Sequence, residues 1–65
     1  MLLKDLKERC VEVIDDYPHL HEQIEELYEI ASDEVAEGGS EDHECELAKS
    51  DLYELIENEK RSKRQ

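Results

Sequence analysis

Apolar residues in this chain recur every three or four positions in three separate runs, and none of the runs alternates with period two. Leu3, Leu6, Cys10, Val13 and Tyr17 step by 3, 4, 3 and 4, with Leu2 and Ile14 beside them. Leu20, Ile24, Leu27, Ala31 and Val35 step by 4, 3, 4 and 4, flanked by Tyr28 and Ile30. Cys45, Ala48, Leu52, Leu55 and Ile56 continue the rule, with Leu47 and Tyr53 nearby. This spacing gathers apolar side chains on one face of a helix, whereas a strand needs strict alternation. The chain is therefore predicted to be all-α, a small helical hairpin or three-helix bundle.

The residues between the runs agree. Pro18 suits a first helical turn, where its missing N–H is not needed, so "DDYPH" separates helix one from helix two. Gly38-Gly39 supplies a left-handed C-cap, and Ser40 is placed to N-cap the third helix. Glu41, Asp42 and Glu44 then sit at that helix's positive end, and the basic tail falls at its negative end. Glu57 with Arg61 and Glu59 with Lys63 are i,i+4 pairs that extend the helix past Asn58. Helices are expected at about 2–15, 18–37 and 41–61. Short connections make neighbours antiparallel. Helices two and three should form the hairpin, with helix one packed across it or donated to a second subunit.

Sixty-five residues make one domain, and a chain this short buries only ~60% of the surface its unfolded form exposes. There is no Trp, no Phe and only three Tyr, so Leu, Ile, Val and Ala must build the core. Leu6, Cys10, Val13, Ile24, Leu27, Ala31, Ala48, Leu52 and Leu55 are the expected buried set. A ligand pocket typically needs ~300–1,000 Å³, which argues against a self-contained enzyme. So thin a core predicts completion by homodimerisation. Residues 1–59 read as a single acidic helical domain, and 60–65 as a short basic tail that extends the last helix. Two cysteines, Cys10 and Cys45, are too few for a disulfide scaffold. "MLLKDLKERC" reads as neither a signal peptide nor a membrane span, so a reducing cytoplasm is the expected compartment.

The formal charge is −12, and its distribution says more than its sum. All twenty acids lie in residues 1–59 against four bases, giving that body −16, while the other four bases lie in the last six residues. Between Cys10 and Ala48 there are fourteen acids and no Lys or Arg. Such a body repels nucleic acid and anionic membrane and attracts basic protein surfaces.

The second helix is the extreme case. Its acids stand in like-charge i,i+3 and i,i+4 pairs (22/25, 22/26, 25/29, 26/29, 29/33, 33/37 and 34/37). At roughly 0.2–0.5 kcal/mol each, the helix forgoes on the order of 1.5–3.5 kcal/mol before salt screening. Asp33, Glu34 and Glu37 also lie toward the negative end of the helix dipole, where acids are unfavourable. Lysines there would serve both solubility and stability. Glu22, Glu25, Glu26, Glu29, Asp33, Glu34 and Glu37, with Glu41, Asp42 and Glu44 on the third helix, are the candidate partner-binding residues. Within them Glu22, Glu26, Glu29, Asp33 and Glu37 form a stripe rising roughly 5–6 Å per member, on the scale of phosphates along a nucleic-acid strand.

Other constellations are weaker. "HEQIE" misses the H-E-x-x-H zinc motif, because its fifth position is Glu25, and His21, Glu25 and nearby His19 fall short of a usual zinc ligand set. His43 and Cys45, two apart, point to opposite sides of a helix, and Cys45 lies on the apolar stripe as a small hydrophobe, as does Cys10. No His has a Glu three residues before it, as a di-iron bundle requires. "DEVAEGGSEDHE" lacks the residue order of a calcium loop. The tail "KRSKRQ" is a slight basic footprint beside so acidic a body. No catalytic residue, metal or cofactor is assigned.

In size, charge and helicity the chain resembles short acidic helical proteins of phages and mobile elements, several of which inhibit host nucleic-acid-binding enzymes. That resemblance implies a non-enzymatic protein that occupies a basic partner surface by nucleic-acid mimicry, with no nucleic acid or membrane bound directly. The alternative is a small structural or adaptor protein that pairs through its apolar stripes, its acidity serving solubility. The dimer expectation is checked by light scattering: a mass near 7.7 kDa across the micromolar range would rule it out.

Overall fold

The computed structural model describes residues 1–63, Lys63 through its backbone alone. Helices α1 (Leu3–Asp16), α2 (His21–Ala36) and α3 (Glu41–Lys63) pack against one another, with a 3₁₀ turn at Pro18–Leu20. No strand occurs among the described residues, so the fold is the all-α three-helix bundle that the apolar spacing predicts. α1 folds back within its own chain, chiefly onto α2 and less onto α3. The bundle is elongated, 42 × 17 × 16 Å. No described helix is long and apolar enough to cross a membrane.

Helix two starts three residues later than expected. Proline disfavours the α region for the residue before it, and Tyr17 accordingly sits at φ −132°, ψ 70°. The chain then makes a 3₁₀ turn closed by Leu20 N–H donating to the Tyr17 carbonyl at 2.9 Å. Leu20, at ψ 6°, still lies outside the α-helix, so α2 opens at His21. His19 ties this corner to α3, its Nε2 lying 2.7 Å from Glu59 Oε1. The expected Glu59–Lys63 pair lies outside the described side chains, and Glu57 and Arg61 form no ion pair with each other.

The core is one cluster from all three helices: Leu6, Cys10, Val13, Leu20, Ile24, Ala31, Cys45, Ala48 and Leu52. Leu6, Ile24 and Leu52, one per helix, are fully buried. Leu27 and Leu55 depart from expectation. Both are only half-buried, because they face an outer groove between α2 and α3 that α1 does not reach. Leu20 and Cys45 are buried in addition to the expected set.

The turn from α2 to α3 uses its two glycines differently. Gly38 N–H donates to Val35 O at 3.1 Å and Gly39 N–H to Glu34 O at 2.8 Å, the paired bonds of a Schellman cap. Gly38 adopts φ +109°, a conformation that side chains strain. Gly39 is needed for space, since a Cβ there would stand 2.8 Å from the Glu34 carbonyl oxygen. Ser40 then begins α3, its Oγ accepting from His43 N–H at 3.4 Å and its carbonyl from Glu44 N–H at 2.9 Å.

Two consequences are measurable by urea or thermal unfolding. Leu52→Ala should cost ~2–5 kcal/mol, enough to unfold much of so small a domain, whereas Leu27→Ala should cost less than half as much. Gly38→Ala should lose ~1–2 kcal/mol to backbone strain, and Gly39→Ala should disrupt the same cap through a steric clash. Wild-type melting of Leu52→Ala would place the core elsewhere.

Candidate functional site

An α-helix advances about 100° per residue. On that wheel Glu22, Glu26, Glu29 and Asp33 of α2 fall within ~60° of one another, about 180° from the buried Ile24 and Ala31. They form the outward face of the helix, and all four are exposed. Glu37, at the C-cap, is exposed beyond them. Glu34 turns toward the α3 side and Glu25 toward the α1 side. Glu25 Oε1 lies 3.1 Å from His21 Nε2, the one side-chain polar contact of an α2 acid with a described residue, and an ion pair when the imidazole is protonated. Glu22, Glu26, Glu29, Asp33, Glu34 and Glu37 make no ion pair or side-chain hydrogen bond with any described residue.

The acids of α3 behave differently. Two antiparallel connections leave α1 and α3 parallel, so their positive N-termini lie side by side. Glu41 Oε2 accepts the Leu3 N–H at 2.8 Å and so caps α1, which has no capping side chain of its own. Asp42 Oδ1 pairs with the amino group of Met1. That hydrogen bond, with the attraction of the opposite charge, holds the Asp42 carboxyl below its ordinary range. The same contact holds the amino group above its own. Glu44 is half-buried against the turn and the outer α2–α3 groove. Thus the ten expected acids do not form one surface. Glu22, Glu26, Glu29 and Asp33 share a face, Glu25, Glu34 and Glu37 surround it, and Glu41 and Asp42 serve the junction between helix ends.

Cys10 and Cys45 are free thiols within the core. Burial pushes both up from the ordinary thiol range, and Glu41 adds to the effect at Cys45. Nucleophilic chemistry requires the opposite, a thiolate stabilised by positive surroundings. No group of three or more His, Cys, Asp or Glu among the described residues is arranged to hold a metal ion. Lys49 Nζ lies 5.9 Å from the Tyr53 ring centroid, a surface cation–π contact.

Sequence periodicity did not single out the exposed apolar residues. Val11, Ile30 and Leu47 are 57%, 54% and 51% exposed. Ile30 and Leu47 flank the second and third stripes, and their offset from the stripe centre was the available signal. Comparison with family models, curated proteins and solved structures returned no match, so the functional reading rests on this chain's own chemistry.

Glu41 gives the site's first test. Glu41→Ala removes a charged acceptor from a helix N-terminus and should cost ~0.5–2 kcal/mol, as loss of a cap does. Hydrogen exchange should quicken at the Leu3 amide and through the first turn of α1, with the α2 amides less affected. Unchanged exchange at Leu3 would mean the cap is not maintained in solution.

Proposed function

We propose that this is a non-enzymatic binding protein whose α2 outer face occupies a basic surface on a partner protein. The observation that carries the reading is a contrast within one molecule. Glu25, Glu41, Asp42 and Glu59 each meet a His, an amino group or a helix N-terminus, and the acids of α1 and α3 share their helices with Lys or Arg. The four on the outer face of α2 meet no partner among the described residues, on a helix that has no Lys or Arg at all. Their like-charge neighbours destabilise the isolated helix, and no contact within the described chain offsets that cost. A cationic partner surface would.

The nucleic-acid groove of an enzyme or defence complex has the required charge, and a stripe of carboxylates at phosphate-like spacing suits it. The action proposed is competitive inhibition by nucleic-acid mimicry, of the phage or mobile-element kind, in the cytoplasm. Nucleic acid and anionic membrane, being like-charged, are not the partners.

The adaptor reading has one observation in its favour, the exposure of Val11, Ile30 and Leu47. It predicts that apolar substitutions abolish binding while the acids are nearly silent.

Changing Glu22, Glu26 and Glu29 to Gln and Asp33 to Asn separates stability from binding. Self-repulsion falls, so the isolated protein should hold or gain stability, by about 1–2 kcal/mol. Partner capture from lysate, eluted by rising salt and competed by duplex DNA with wild type, should be lost with the variant. Full-strength capture by the variant in physiological salt would refute the reading.

A further inference from the structure

We propose that the outer groove between α2 and α3 docks a basic amphipathic helix of the partner protein. This rests on the reading above and adds to it a second, apolar contact. The groove floor is Leu27 and Ile30 from α2 with Leu47 and Leu55 from α3. Ile30 and Leu47 are more than half exposed, and Leu27 and Leu55 half-buried. The rim is Glu26 on one side and Asp51 and Glu54 on the other, and no base lines it. Along α3 the lining runs from Glu44 to Asn58, roughly 20 Å at 1.5 Å per residue.

Charge selects the occupant. A second copy laid groove to groove would bring two acidic rims together. The basic tail of a second copy, Lys60 to Gln65, has no apolar side chain to fill the floor. α1 of a second copy offers a single exposed apolar residue, Val11, in a patch of mixed charge (Lys4, Lys7, Glu8 and Glu12), which neither fills the floor nor matches a wholly acidic rim. A partner segment with an apolar stripe and cationic flanks satisfies floor and rim together.

Shape selects its conformation. An extended peptide leaves its backbone N–H and C=O groups needing partners, and no described residue offers a strand edge. A helix satisfies its own backbone and would lie against α2 and α3 as the fourth member of a bundle. The lining from Glu44 to Asn58 fits about four helical turns and its apolar floor from Leu47 to Leu55 about two, so a partner helix of about 14 residues should carry apolar residues at three- and four-residue spacing over its central turns. Because Glu26 belongs both to the rim and to the outer face of α2, the docked helix would lie alongside the charge-binding surface.

The test uses two synthetic peptides of about 16 residues and identical composition. One has leucines at three- and four-residue spacing flanked by arginines, and the other is its scrambled isomer. Both are titrated into the 65-residue chain at physiological salt, with affinity read by fluorescence anisotropy and the site by backbone amide NMR shifts. The patterned peptide should bind at least tenfold tighter than its isomer, with shifts centred on Ile30, Leu47 and Leu55. Ile30→Ser combined with Leu47→Ser should weaken it about tenfold, about 1.4 kcal/mol. Both positions are exposed, so the variant should keep the wild-type circular dichroism melt. Glu8→Gln, Asp15→Asn and Asp16→Asn together, exposed on α1 and outside both the groove and the α2 outer face, should change affinity less than threefold. Equal binding of the two peptides with shifts confined to the α2 outer face would overturn the groove while supporting the charge reading. Absence of patterned-peptide binding, or unchanged affinity of the Ile30→Ser, Leu47→Ser variant, would also overturn the groove, and the charge reading would still be judged by its own capture experiment.

Discussion

The joint burial of Leu6, Ile24 and Leu52, one from each helix, is the constraint on which the rest of this structure depends. Around them the core holds small residues, Cys10, Ala31, Cys45 and Ala48, and no aromatic ring is fully buried. Hydrophobic burial scales with apolar area removed from water, about 25 cal/mol per Å², so a core of this composition has little to spare. It must hold together a shell of net negative charge. The acids are tolerated because they sit outside, where water screens them, and because no charged side chain among the described residues is buried.

Helix ends use some of this acidity. With α1 and α3 parallel, two positive helix termini meet at one end of the bundle, and Glu41 and Asp42 lie there. The opposite polarity at the C-terminus of α2 is handled without charge, by the glycine cap whose N–H groups donate to the carbonyls of Glu34 and Val35. The outer face of α2, on a helix without Lys or Arg, instead gathers four carboxylates that neither cap nor pair among the described residues. Structural demand accounts for the first group of acids and not for the second, which is why the second carries the functional argument.

The grooves follow from the same economy. Three helices of unequal length enclose one core, and α1, with 14 residues, cannot cover both sides of a hairpin whose second arm has 23. The face of α2 and α3 turned away from α1 therefore keeps Ile30 and Leu47 in solvent. Apolar floor and acidic rim arise together, because the positions flanking each buried stripe pass by degrees from core to the charged exterior.

Much of this was legible in the residues. The three- and four-residue spacing determined helix, and Pro18 and Gly38-Gly39 determined where helices break, since these depend on local backbone sterics. Seven of the nine expected core residues are buried for the same reason: their places on the stripe centres leave one face to turn inward. The unpaired state of the α2 acids was also readable, because no Lys or Arg lies within reach along the helix. Other outcomes depended on neighbours far along the chain. Which of Leu20, Leu27, Cys45 and Leu55 are fully covered depends on which face of the α2–α3 hairpin α1 lies against. That Glu41 caps α1, 38 residues away, depends on the two helices being parallel. That His19 meets Glu59 depends on α3 running back past the 3₁₀ turn. Local periodicity specifies which side of a helix is apolar, whereas packing alone specifies how much of that side another helix can reach.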